Sequence, residues 1–297
     1  MDQPHMATPV YDRAAEDIGN IVEFGHVNVL IPDQQLATLF YVSMLGFTRD
    51  PYLMTSTDNM WVNIGQQQFH LPSGQAQVLR GVTGVVIPDL APLRKRIERY
   101  RQKLNGTRFS WTERDGAIEL TCPWGNRIRV HTPNAAFGPV ALGIVYVELD
   151  TPTGTSDRIA RFYREVLTSP AQVGHDDAGA FVTVGCGITT KLIYRETSAA
   201  LPRYDGHHIQ ITLADFSGPH SRLLARGLVT EESDAHQYRF VALADIESGD
   251  MLFELEHEVR SMRHPLFNRP LVNRNPLQSN LHFAPGRESW AWSLPLE

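Results

Sequence analysis

Four stretches of the chain alternate apolar and polar residues in the same way before giving way to a helical period. FGHVNVLIPD from Phe24 precedes QQLATLFYVSMLGF, and RGVTGVVIPD from Arg80 precedes LAPLRKRIERYRQKL. LGIVYVELDTP from Leu142 precedes SDRIARFYREVL, and GHHIQITLADF from Gly206 precedes GPHSRLLARGL. Each opening run is short, β-branched and alternating, which predicts a strand. Asp or Pro then breaks it, and Asp33, Asp89, Asp157 and Ser217 stand where a helix cap is useful. In the helical stretches apolar residues recur at three and four. Examples are Leu36, Leu39, Phe40 and Met44, and again Ile159, Phe162, Tyr163 and Val166. Two or three further strand-like runs follow each helix, such as MWVNIG then QQQFHLP, and AIELTC then NRIRVHT.

The pattern is therefore a βαβββ unit repeated four times, with equivalent opening positions at 26, 82, 144 and 208. It divides the chain into an N-terminal arm (1–19), a first two-unit domain (20–135), a second two-unit domain (140–260) and a C-terminal arm (261–297). The arm is rich in Arg, Asn and Pro. It reads as a segment wrapping the domains, with Arg263 or His264 able to close over a site and Trp290 and Trp292 as anchors.

Four such units, opening like GHVNVLIPD and with PWGNRIRV closing the second, resemble the vicinal oxygen chelate superfamily, which includes glyoxalase I and the extradiol ring-cleaving dioxygenases. The bleomycin resistance proteins belong to it too. The resemblance covers roughly residues 20–260. It implies an α+β fold in which units pair into two cup-shaped mixed sheets with helices on the outer faces. It also implies two metal-ligand slots per unit, one in the opening strand and one in the closing strand.

On that pattern the slots of unit one hold His26 and His70, and those of unit four hold His208 and Glu254. Units two and three hold Val82 and Arg129, and Ile144 and Ile193, none of them a metal ligand. Pairing one with four and two with three gives one fully equipped cup and one empty one. The competing arrangement joins two half-sites across a homodimer. Strand parity agrees with the assignment: His26 shares a face with Asn28, and His208 with Gln210 and Thr212, while Val27, Ile209 and Ile211 lie opposite.

A single histidine in a strand is ordinarily a hydrogen-bonded structural residue; the coincidence at equivalent slots of two repeats makes these candidate ligands. A carboxylate among Phe253 and Leu255 is costly to bury without a partner. His207 points to the other face and reads as structural, Glu256 as a rim carboxylate, and Arg129 as a filler or ion-pair partner. His131 and His175 fit no slot.

Composition narrows the rest. A formal charge of −6 argues against a nucleic-acid partner, and no apolar run is long enough to cross a bilayer. The two cysteines, Cys122 and Cys186, offer neither a disulfide framework nor a thiolate site and suit a reducing cytoplasm. The expectation is a monomer or homodimer binding one divalent metal, Fe, Zn, Ni or Mn, and a small-molecule substrate that chelates it through two neighbouring oxygens. A glyoxalase-like isomerase or lyase fits the ligand set. An Fe(II)-dependent dioxygenase is the first alternative, although Ile144 stands in a slot that extradiol enzymes fill; a non-catalytic binding or resistance protein is the second.

Overall fold

The computed structural model describes residues 11–53 and 56–274; Trp290 and Trp292 lie outside them. Four βαβββ units follow one another in the chain. The first is β1 (Ile21–Asn28), α1 (Gln34–Ala37), β2 (Thr48–Arg49), β3 (Asn59–Ile64) and β4 (Gln67–Pro72). The second is β5 (Gly81–Val86), α2 (Leu90–Tyr100), β6 (Ser110–Arg114), β7 (Ala117–Thr121) and β8 (Arg127–His131). The third is β9 (Gly143–Pro152), α3 (Ser156–Glu165), β10 (Ala171–Asp176), β11 (Gly179–Cys186) and β12 (Thr190–Thr197). The fourth is β13 (His208–Leu213), α4 (Ser217–Leu224), β14 (Val229–Asp234), β15 (Gln237–Ala244) and β16 (Met251–Ser261).

Two eight-stranded mixed sheets result, in the orders β14-β15-β16-β13-β1-β4-β3-β2 and β10-β11-β12-β9-β5-β8-β7-β6. Unit one thus pairs with unit four, through antiparallel β1 and β13, and unit two with unit three, through antiparallel β5 and β9. Neither chain half, 20–135 or 140–260, builds a sheet by itself; each sheet takes one unit from each half. The pairing forms within one chain, so the first cup is complete without a second copy.

The reason lies in the alternation. Val27 on β1, Val29 just after it, and Ile209, Ile211 and Leu213 on β13 are all at most 2% exposed and belong to the apolar core. The residues between them, His26, Asn28, His208, Gln210 and Thr212, face the concavity. Asp33 and Asp89 cap the first two helices as expected, accepting from the backbone N–H groups of Gln35 and Leu36 and of Ala91. Asp157 and Ser217 instead lie inside the first turns of α3 and α4. Their caps come from farther off: Ser156 N–H donates to Glu196 Oε1 and Gly218 N–H to Asp215 Oδ1. α1 widens after Ala37 into a π-helical turn, Thr38–Met44, that buries Phe40, Tyr41 and Met44. Among the described residues no helix is long and apolar enough to cross a membrane.

The two cups differ in content. In the β5/β9 cup, Gly84 lies opposite Tyr146, and a Cβ on Gly84 would meet the Tyr146 ring at 2.1 Å. Tyr146 packs with Val82, Val86, Val140 and Val145, and Ile193 joins the same cluster. Its hydroxyl is 2.9 Å from His131 Nε2. Arg129 is an ion-pair partner, its Nη2 donating to Glu119 Oε2 at 2.9 Å.

Candidate metal centre

The concave face of the β1/β13 sheet is built in polar rows. Strand register places Trp61, His70, Asn28, His208 and Glu256 side by side from β3 to β16. The next row holds Asn63, Gln68, His26, Gln210, Glu258 and Arg239. One nitrogen from each of His26, His70 and His208 falls within 4.8 Å of the others, so three of the four expected donors meet at one point.

Glu254 does not join them: among the described residues the cluster is the three histidines alone. His70 lies opposite Asn28, two residues past His26 on β1, and the residue opposite Gln210, two past His208 on β13, is Glu258. The local twofold that exchanges His26 with His208 therefore exchanges His70 with Glu258. Glu254 is four residues earlier, opposite Ala242 and across a register shift in the β15/β16 pairing, and its backbone carbonyl accepts from the Arg80 guanidinium. The slip has a plain cause. The hairpin before β16 is lengthened around Asp245–Asp250, so equal spacing along the chain does not mean equal register. The same correction moves the third unit's opening slot from Ile144 to Tyr146, since Tyr146, opposite Gly84, corresponds to His208 opposite Asn28.

Glu258 Oε2 is 3.5 Å from His208 Nε2, and Glu256 Oε1 is 3.3 Å from His208 Nδ1. Glu258 is 3% exposed and flanked by Arg239 and Arg260, each with a guanidinium nitrogen 2.6 Å from a carboxylate oxygen. Burial alone would raise its carboxyl; the neighbouring His208 and His26 rings and the Arg260 guanidinium hold it well below the usual range. Glu256 is more than a rim group, because Arg239 also donates to it.

The imidazoles are in the form a metal needs. Burial pushes His26 well below its ordinary value, and burial followed by the neighbouring His208 takes His70 down to about 3. Both therefore present a neutral ring with a lone pair. His70 Nε2 is 2.6 Å from Asn59 Oδ1, so the amide oxygen accepts its N–H and leaves Nδ1 as the donor nitrogen. Trp61 stacks on that ring at 3.7 Å and meets His26 edge-on, fixing both orientations. The Nε2 atoms of His26 and His208 are buried without a hydrogen-bond partner. Unpartnered nitrogens of this kind are expensive unless something accepts their lone pairs or their N–H groups, and a divalent cation does so.

His207 is structural, as its parity indicates. It is fully buried with Nδ1 2.6 Å from Asp205 Oδ1. On the open side, the arm after β16 crosses the cup. Arg269 donates to Asp50 Oδ2 at 2.7 Å, Asn273 exchanges hydrogen bonds with the backbone of Gly65, and Asn63 donates to the Val272 carbonyl. Leu266, Phe267, Arg269 and Leu271, not Arg263 or His264, line the pocket that ends on His26.

No family model matches this sequence, and no curated protein matches it. Solved structures do. A Bacillus subtilis protein provisionally designated a dioxygenase superposes with a TM-score of 0.55 at 16% identity, over 83% of this chain and 87% of that one. Glyoxalase I from Zea mays superposes with a TM-score of 0.55 at 12% identity, over 80% of this chain and 92% of that one. At these identities the likeness is one of fold, and the fold is that of the vicinal oxygen chelate proteins.

Proposed function

We propose that His26, His70, His208 and Glu258 bind one divalent metal, and that the protein is an enzyme acting on a small substrate that chelates this metal through two adjacent oxygens. The observation that carries the reading is the convergence of three imidazole nitrogens within 4.8 Å, two of them on rings with an unpartnered buried Nε2. Nothing in a packed polar core needs such an arrangement, whereas a cation site does. Three nitrogens and one carboxylate leave positions free on a six-coordinate ion.

When bound, the metal supplies Lewis-acid polarisation of a carbonyl oxygen. The chain supplies the rest. Asn59 and Trp61 orient His70, and Arg239 and Arg260 keep Glu258 ionised and aimed. Phe267 and Leu271 from the arm limit water over His26. This arrangement favours a glyoxalase-like isomerase or lyase. A dioxygenase is the second reading, motivated by the shared fold with the B. subtilis protein and by the availability of two histidines and a carboxylate as a facial set.

The two are separated by assaying the metal-loaded protein on α-hydroxycarbonyl compounds and on catechols, with and without oxygen. Turnover of the former under strict anaerobiosis supports the isomerase reading. Oxygen uptake coupled to catechol loss supports the second, and no turnover of either class contradicts both.

A further inference from the structure

The row beyond His26 and Gln210 holds Glu23, Thr212 and Arg260. Glu23 reaches this face because the strand bulges at Gly25, where a Cβ would run into the Gln210 amide at 1.7 Å. Glu23 lines the pocket that ends on His26, and also the second pocket that leads out under Asn268–Leu271; Gln66, Arg269 and Leu271 are common to both. This carboxylate therefore stands on the wall of both pockets, one strand row from His26.

The other carboxylates around the cup are committed. Glu258 is clamped between two arginines, Glu256 accepts from Arg239, and Asp50 is sealed against Arg269 with its side chain 0% exposed. Glu23 has no ion-pair partner within 4 Å among the described residues, and its one side-chain hydrogen bond comes from the Thr212 hydroxyl at 2.9 Å.

We propose that Glu23 is the general base of this cup, moving a proton on a substrate held at the histidine centre. The proposal rests on the metal-chelation reading above. Burial raises the Glu23 carboxyl above its ordinary value against the opposing effects of Thr212 and Arg260, which suits a group that must take up a proton and return it. The step is redox-neutral. Glu23 removes the proton from the hydroxyl-bearing carbon of an α-hydroxycarbonyl. The C–H electron pair becomes the C=C bond of an enediolate, and the carbonyl π pair moves to its oxygen. Proton return from Glu23 to the same carbon completes exchange; return to the neighbouring carbon, with the hydroxyl proton passing from one oxygen to the other, completes isomerisation. Thr212 orients the carboxylate and itself accepts from the Gln210 amide beside His26.

The test uses the full chain loaded with zinc and hydroxyacetone as probe in D2O, with loss of the C–H signals followed by NMR. Zinc content is measured first on every protein. The expected result is exchange by wild type, a loss of at least 100-fold in Glu23→Gln with its zinc and melting curve intact, and partial recovery in Glu23→Asp. Exchange by Glu23→Gln at the wild-type rate overturns the role. So does zinc-loaded wild type that exchanges no faster than the zinc-free chain. A chain that retains neither zinc nor, after reconstitution, iron, nickel or manganese overturns the metal reading itself, and the prior metal measurement tells that failure from the others.

Discussion

His70 and Glu258 occupy equivalent positions, each paired in parallel with the residue two past an opening-strand histidine. One carries an imidazole and the other a carboxylate, so the site is a symmetric frame with an asymmetric donor set. Glu258→Gln is expected to weaken zinc or cobalt binding at least 10–100-fold, the loss already typical of a group that only orients a ligand. Glu254→Gln, whose carboxyl lies off the cluster, is expected to bind like wild type. A metal titration that ranks the two variants the other way contradicts the register argument.

One buried ion pair, Arg269 to Asp50, ties the arm to the cup beside its neutral hydrogen bonds. In Arg269→Met the Asp50 carboxylate keeps the backbone N–H groups of Tyr52 and Leu53 and the Gln68 amide but loses its cation. Breaking a fully buried pair costs roughly 3–5 kcal/mol, and these remaining bonds reduce that figure. The expected outcome is protease cleavage within 262–274 before global unfolding. Equal resistance of variant and wild type speaks against a charge latch.

In the second cup, Gly84 exists to admit Tyr146. Gly84→Ala pushes a methyl into the ring and is expected to cost about 1–3 kcal/mol in denaturant unfolding, the usual penalty of overpacking. Because the clash is with one side chain, Gly84→Ala combined with Tyr146→Ala should lose less than the two single changes added together. Additivity in that cycle contradicts the contact.

Acid should weaken the fold through His257. Its ring is fully buried, stacked on Phe240, with Nδ1 2.8 Å from the Leu255 carbonyl and Nε2 2.7 Å from the Tyr163 hydroxyl. The carbonyl accepts the ring's one N–H, so Nε2 accepts from Tyr163 and the ring is neutral. Burial lowers it to about 4 from 6.5. A depressed histidine stabilises the fold fully above pH 6.5, and the contribution is lost as pH falls from there toward 4. Thermal midpoints should hold steady above that window and drop within it; a rise on acidification would falsify the assignment.

Much of this was legible in the sequence because strands and helices bury by simple period. The alternation around Val27 and Ile209 placed the histidines on the wet face, and the slots implied by the family resemblance, filled in units one and four, favoured those units meeting over half-sites joined across a homodimer. Register was not legible. Glu254 and Glu258 share strand parity, and only the pairing of Gln210 with Glu258, set by the long hairpin at Asp245–Asp250, separates them. Glu23 was hidden for a related reason: three residues from His26, it belongs on the opposite face of a regular strand and reaches the cup through the bulge at Gly25. Tyr146 as a plug depended on its distant partner Gly84, which local pattern does not reveal.

The most direct test is the metal content of the purified chain and of His208→Ala after reconstitution with iron, zinc, nickel or manganese. About one equivalent per chain in wild type, lost in His208→Ala, is the result the three-histidine site predicts. A wild type that retains none of the four metals, or a His208→Ala that retains as much as wild type, contradicts it.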